Sequence, residues 1–304
     1  MQRSLAALTS ELQRLKAEGK RTVSISDESV ALLRRALAPA TSAAAQPRPA
    51  PVSAPTFSPA PAVSAPAKAV AAPAAKSEPS LPPAPVVRLP EGDKADRWAA
   101  LRELVLSDPT CRANVRPGGQ VVFGVGNIET RIMFVGEAPG AEEEQQGEPF
   151  VGPAGQLLTK MIGAMGLERP DVYIGNIMNW RPQMPVSAGG VQYGNRPPTA
   201  GEMAYCLPYL TAQIEVVAPQ LIVALGKTAA EGLLGAGTFR ALGEVRGHWH
   251  TFAGRPLMVT YHPSYVLHTP SSQNKRLIWE DLLKVMEKAG LEISDRQRGF
   301  FLGK

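Results

Sequence analysis

Cysteine is scarce in this chain of 304 residues: Cys111 and Cys206 are its only two. That excludes a disulfide-rich scaffold, and a pair of thiolates cannot by itself complete a four-thiolate metal site. It also suits a reducing, cytoplasmic setting. No apolar run reaches the roughly 18 residues that a membrane-spanning helix needs. The first twenty residues carry Arg3, Glu11, Arg14, Lys16, Glu18 and Lys20 without a compact apolar block, so a signal peptide is not expected. The chain also lacks a phosphate loop. Gly226-Lys227-Thr228 resembles the end of one, but the glycine required five positions earlier is Leu221. Histidines number four, and His248 and His250, two apart on an expected strand, find no further ligands for a metal.

What is present is unevenly distributed. Residues 1–38 hold seven Lys/Arg against four Asp/Glu, and residues 39–88 hold four against one. The basic character of the chain, a formal +5, therefore belongs to its front, and the remainder is close to neutral. Leu5, Leu8, Leu12 and Leu15 share one helical stripe, and Ser26 caps a second helix carrying Val30, Leu33 and Leu37. This segment, 1–38, is expected to be a docking or self-associating helical piece. Residues 41–86 contain 12 Pro and 15 Ala, a composition that buries no core and favours extended polyproline segments. Residues 39–88 are thus expected to form a disordered tether spanning up to about 140 Å.

Residues 89–304 read as a folded domain. Four apolar runs, 131–135 (RIMFV), 172–177 (VYIGNI), 221–225 (LIVAL) and 256–261 (PLMVTY), alternate with helical patterns at 155–165, 202–217 and 228–234. Such alternation predicts an α/β fold of three layers, α/β/α, with a mainly parallel central sheet of about four strands. The segment 245–252 reads as an additional strand. In an open sheet of this kind, ligands sit beyond the carboxyl ends of the strands. Those ends carry Gly136-Glu137-Ala138-Pro139-Gly140, Asn176, Gly226-Lys227-Thr228 and His262-Pro263-Ser264. A carboxylate, a carboxamide and an imidazole are therefore expected to converge on one crevice.

Residues 136–155 (GEAPGAEEEQQGEPFVGPAG) are too rich in Gly and Pro for a regular element, and a loop of that length is usually functional. Most of Glu142, Glu143, Glu144 and Glu148 read as a solvated acidic stretch. Phe150, isolated among glycines and prolines, is equally a stacking platform or a core plug. Thr228 reads as a helix cap.

From about Trp98 to Gly290 the chain resembles the family 4 and family 4-like uracil-DNA glycosylases. The resemblance rests on GEAPG followed by GEPFVGPAGQLL, on YIGNIMNWRP, on APQLIVALGKTAA and on YHPSYVL, in that order. It implies flipping of uracil out of DNA and hydrolysis of its N-glycosidic bond. Uracil would stack on Phe150 and be read by Asn176, with Ala138–Gly140 backbone beside it. His262 would donate to O2, and Glu137 would position water or support the sugar cation, with Glu143 and Glu144 as auxiliary acidic candidates. Ser264, Tyr265 and Leu267, with Lys275 and Arg276 beyond, would form a DNA-facing loop.

Two departures matter. Typical family 4 enzymes bind a 4Fe-4S cluster through four cysteines. Cys111 and Cys206 match two of those positions, but Asp108 and Trp180 stand at the others, so no cofactor is expected. A covalent-trapping branch carries a reactive histidine in an insertion that corresponds here to residues 185–198, which contain none. Ordinary turnover is expected, by a catalytic domain that is a monomer acting on uracil-containing DNA. A broader deaminated-base glycosylase and a non-catalytic DNA-binding protein of the same fold remain as alternatives.

Overall fold

The computed structural model describes residues 81–184, 192 and 194–302. The expected helical segment 1–38 and residues 39–80 of the expected tether lie outside the described residues. Four parallel strands form the centre: β2 (Ile132–Gly136), β3 (Tyr173–Asn176), β4 (Leu221–Leu225) and β6 (Arg255–Thr260), adjacent in the order β3-β2-β4-β6. Two short antiparallel strands close the edges, β1 (Val125–Gly126) beside β3 and β5 (Trp249–Phe252) beside β6. The sheet thus has six strands rather than about four. Edge strand β5 falls within the additional strand expected at 245–252, and the two-residue β1 leaves no periodic signal.

Helices cover both faces: α1 (Lys94–Ser107), α2 (Pro109–Ala113), α3 (Ala141–Gln146), α4 (Pro153–Ala164), α5 (Ala200–Val217), α6 (Lys227–Leu234), α7 (Pro263–His268), α8 (Ser272–Lys288) and α9 (Asp295–Arg298). The unbroken apolar runs follow from this covering, because successive side chains of a strand point to opposite faces. Ile132 and Phe134 of β2 pack with Leu158 and Ile162 of α4 and Leu282 and Val285 of α8. Met133 and Val135 pack with Leu210 and Ile214 of α5 and Ala229 and Leu233 of α6. Strand β4 divides in the same way, Val223 to the first cluster and Ile222 to the second.

A third cluster joins α1 and α5: Leu101, Val105, Cys111, Met178, Trp180, Tyr205, Cys206 and Tyr209. Leu81, Val87 and Leu89 pack against it. Residues 81–88, assigned to the tether on composition, therefore belong to the folded unit; only Leu81 and Val87 among them reach the cluster, too few for composition to reveal. A further correction concerns the loop after β2. The Gly/Pro-rich stretch after β2 does hold a regular element, α3, made possible by Gly140 at its start and left-handed Gly147 (φ 74°) at its end. Helix α8 begins at Ser272 because Ser271 Oγ accepts the Asn274 amide at 3.0 Å.

Candidate active site

Register brings the strand ends together. Gly136 pairs with Asn176, and Leu225 with Thr260, so the loops after β2, β3, β4 and β6 leave from one edge. From β2 the chain goes first to one side (β3) and then to the other (β4), which is the switch point where such sheets bind ligands. A cavity of about 630 Å³ opens there, lined among others by Glu137, Ala138, Glu143, Phe150, Asn176 and His262. A larger hollow of about 790 Å³, between residues 87–92 and α5, is lined mainly by Leu, Pro, Ala and exposed charges. Volume alone does not choose between them; the converging titratable and carboxamide groups do.

Gly136 sets the width of the cavity. A Cβ there would lie 2.4 Å from both Asn176 Oδ1 and Phe150 Cζ, so only glycine lets the carboxamide and the aromatic ring come this close. Asn176 is 6% exposed and its Oδ1 has no hydrogen-bond partner among the described residues. An orphaned buried acceptor costs about 1–3 kcal/mol, which a ligand donor would recover.

Phe150 adopts a left-handed backbone (φ 56°), a strained conformation for an aromatic residue. The strain is held in place on both sides. The Glu143 carboxylate accepts the amides of Val151 (3.1 Å) and Gly152 (2.9 Å) just after the ring, and that of Gly140 (3.1 Å) at the far end of the loop. Gly155 lies so near that a Cβ on it would collide with the Phe150 carbonyl. The ring, 6% exposed, belongs to the core beneath and lines the cavity above, 5.6 Å from the His262 ring at 33°.

His262 stands at the N-cap of α7. Its Nδ1 accepts the Ser264 amide at 3.2 Å and lies 2.8 Å from the Ser264 hydroxyl. A ring nitrogen that accepts an N–H is unprotonated, so the neutral imidazole carries its proton on Nε2 and presents a donor. Burial pushes its pKa down to about 4, against a smaller opposing pull from Glu143. Gly226 (φ 93°) allows the close approach, since a Cβ there would sit 2.9 Å from that of His262. Burial raises the Glu137 carboxyl; a hydrogen bond from the Thr228 side chain opposes this, and the charge of Glu231 adds to it. Thr228 is thus inside α6 beside Glu137, and the cap position belongs to Gly226.

The acidic stretch is solvated at Glu142 and about half so at Glu148, but not at Glu144. Glu144 is buried beneath the loop, its Oε2 3.7 Å from Arg181 Nη1, and it does not line the cavity. Arg181 in turn donates to Asn195 Oδ1 and to the Gly194 carbonyl, both at 2.8 Å. This pair was missed from the sequence, although Arg181 stands inside the NWRP motif. Of the DNA-loop candidates, Ser264 lines the cavity, and Leu267 is 44% exposed on α7. Tyr265 stacks on Tyr261 with centroids 4.4 Å apart. Lys275 is exposed over the Phe301 ring. Arg276 is otherwise employed: it donates to Glu280 and to the carbonyls of Arg298 and Phe300, clamping the C-terminal segment. His248 precedes β5, and His250 meets the Val245 carbonyl at 2.9 Å. Among the described residues no three His, Cys, Asp or Glu side chains gather to hold a metal ion, and no helix is long and apolar enough to cross a membrane.

The four cluster-related positions do come together, but not as ligands for a 4Fe-4S cluster. Asp108 caps α2 through the Cys111 amide (2.7 Å) and accepts the hydroxyls of Tyr209 (2.8 Å) and Tyr205 (3.0 Å). Burial alone would raise its carboxyl, but these bonds outweigh it and hold it below the usual range. The Cys111 thiol is pushed up by its hydrogen bond with Cys206 and by burial. Trp180, fully buried 6.0 Å from the Tyr205 ring, fills the centre with an indole that has no lone pair to coordinate iron. The donor set therefore does not fit the cluster.

Residues 123–283 match the family model described as the uracil DNA glycosylase superfamily. The chain is 43% identical over 167 residues to the type-4 uracil-DNA glycosylase of Thermotoga maritima, covering 54% of this chain and 80% of that one. It is 39% identical over 175 residues to the type-4 enzyme of Archaeoglobus fulgidus (56% and 82%), and 30% identical over 190 residues to the type-5 enzyme of Pyrobaculum aerophilum (57% and 77%). The matched region contains every side chain that lines the strand-end cavity from Glu137 to His262, and on that footing the chain belongs to the uracil DNA glycosylase superfamily.

Proposed function

We propose that the protein excises uracil from DNA, hydrolysing the N-glycosidic bond of an extruded nucleotide and leaving an abasic site. A base inside a duplex is out of reach, so the nucleotide must first leave the stack at a cost of a few kcal/mol, least at a U·G mismatch. The observation that carries the reading is the unpartnered, buried carboxamide oxygen of Asn176 beside the Phe150 ring. Uracil offers N3–H and O4 to such a carboxamide, whereas cytosine offers the reverse pattern and would leave buried groups unpaired.

As the bond breaks, negative charge develops on the pyrimidine. The Nε2–H of neutral His262 supplies a preorganised donor to O2, a kind of contact whose removal costs about 3–4 kcal/mol in comparable sites. Glu137 holds the attacking water or faces the sugar cation. Glu143 acts on loop geometry, since its carboxylate is already occupied by three backbone amides. Ala138 and Gly140 bring backbone against the base. The 4Fe-4S cluster has no part in this reading, the domain acts as a monomer on uracil-containing DNA, and the reduced cysteines agree with a cytoplasmic location. A panel of defined oligonucleotides carrying uracil, hypoxanthine or xanthine, assayed for free base and abasic product, tests it. Release of uracil alone is expected; release of purines at equal rates selects the broader lesion range, and no release at all selects a non-catalytic role.

A further inference from the structure

Asp281 does not line the cavity, yet it is 1% exposed and hydrogen-bonded through Oδ2. Its Oδ2 accepts the Thr260 hydroxyl at 2.6 Å and Arg246 Nη1 at 2.7 Å. Thr260, itself buried, is the last residue of β6 and stands two positions before His262. Its carbonyl accepts the Gly226 amide at 2.9 Å. Arg246 also donates to the Leu277 carbonyl at 2.8 Å, and its guanidinium lies over the Tyr261 ring, 5.2 Å from the centroid. Tyr261 stacks in turn on Tyr265. Residues 260, 261 and 265 bracket His262, and all three are tied to one buried ion pair. The packing around that pair is tight: a Cβ on Gly247 (φ 73°) would lie 2.8 Å from Asp281 Oδ1, and Lys284 donates to the Gly247 carbonyl at 2.7 Å.

A buried ion pair adds little net stability over well-packed apolar residues. Its value here is geometric, because a donor misplaced by about 1 Å can lose roughly a hundredfold in rate. We infer that Asp281, with Arg246 and Thr260, is a positioning group for His262, fixing the strand end from which the imidazole reaches the cavity. The inference rests on the glycosylase reading above.

The test uses the full-length protein carrying Thr260→Val, which keeps the side-chain shape and leaves Arg246 paired with Asp281, and Asp281→Asn. Single-turnover uracil release is measured for each in the wild-type and His262→Ala backgrounds. A fall of roughly tenfold or more is expected in the first background, with DNA affinity unchanged, and no further fall in the second. Equal falls in both backgrounds, or none in either, overturn the inference. Should Asp281→Asn fail to fold, Thr260→Val carries the test. A second readout needs no activity: nitrogen NMR of the histidine rings should show the Nε2–H tautomer of His262 in the wild type, and shifted or broadened ring signals in Thr260→Val with His248 unchanged. Unaltered His262 signals overturn the inference. Wild type that releases no uracil sinks the glycosylase reading instead, and the ring spectrum still decides the positioning.

Discussion

At the scale of single residues, the site is a set of compromises that only a ligand resolves. Asn176 leaves an acceptor unpaired, Phe150 holds a strained backbone, and His262 is kept neutral by burial. The two titratable groups move in opposite directions, and this predicts the pH profile. Glu137 is raised, so activity should fall on acidification above the ordinary carboxylate range as it takes up a proton. His262 keeps its neutral form down to about pH 4 and contributes no acid limb above that. Glu137→Gln should be slower than wild type and should lose the limb; a limb that persists unchanged assigns it elsewhere. Stability has its own sign. The folded His262 value lies below the ordinary 6.5, so the unfolded chain binds the extra proton first. The contribution of His262 is therefore present above pH 6.5 and is lost as pH falls toward about 4.

At the scale of elements, the loop after β2 and helix α7 do most to shape the site. Glu143 ties both ends of the loop by three amide hydrogen bonds to a charged acceptor, each worth about 1.5–3 kcal/mol. Glu143→Ala should lower the melting temperature by several degrees and slow uracil release, while the pH profile keeps the shape set by Glu137. A shifted profile would make Glu143 a participant in proton transfer. On α7, Leu267 is exposed while its neighbours Val266 and Pro263 are buried. Leu267→Ala should weaken activity on duplex more than on single strands; equal losses would remove it as a wedge in the gap left by the flipped base. The strands and strand-end residues were legible in the sequence because unbroken apolar runs and glycine-flanked polar residues carry their own pattern. The work of Glu143, Glu144 and Asp281 was not. Each acts on groups distant in the chain or on backbone amides, and composition is blind to both. The same holds for α3, whose two flanking glycines read equally as loop.

At the scale of the whole molecule, the third cluster shows how the fold closes the region around Asp108, Cys111, Trp180 and Cys206. Asp108, Tyr205, Tyr209 and Trp180 fill it with hydrogen bonds and aromatic volume, and residues 81–89 lie across it. That the chain has only two cysteines was plain from the sequence; the carboxylate–tyrosine network beside them was not, since the two tyrosines lie 97 and 101 positions from Asp108. Protein purified without oxygen should contain neither iron nor labile sulfide at cluster stoichiometry, and Tyr209→Phe should lower its melting temperature. Stoichiometric iron would overturn this part of the account. The central claim concerns the carboxyl-terminal strand ends, where Phe150, Asn176 and His262 meet. Single-turnover release of uracil from a U·G oligonucleotide by wild type, Asn176→Ala and His262→Ala tests it most directly. Real turnover by the wild type and losses of roughly a hundredfold or more in both folded variants are predicted; rates that survive either substitution contradict it.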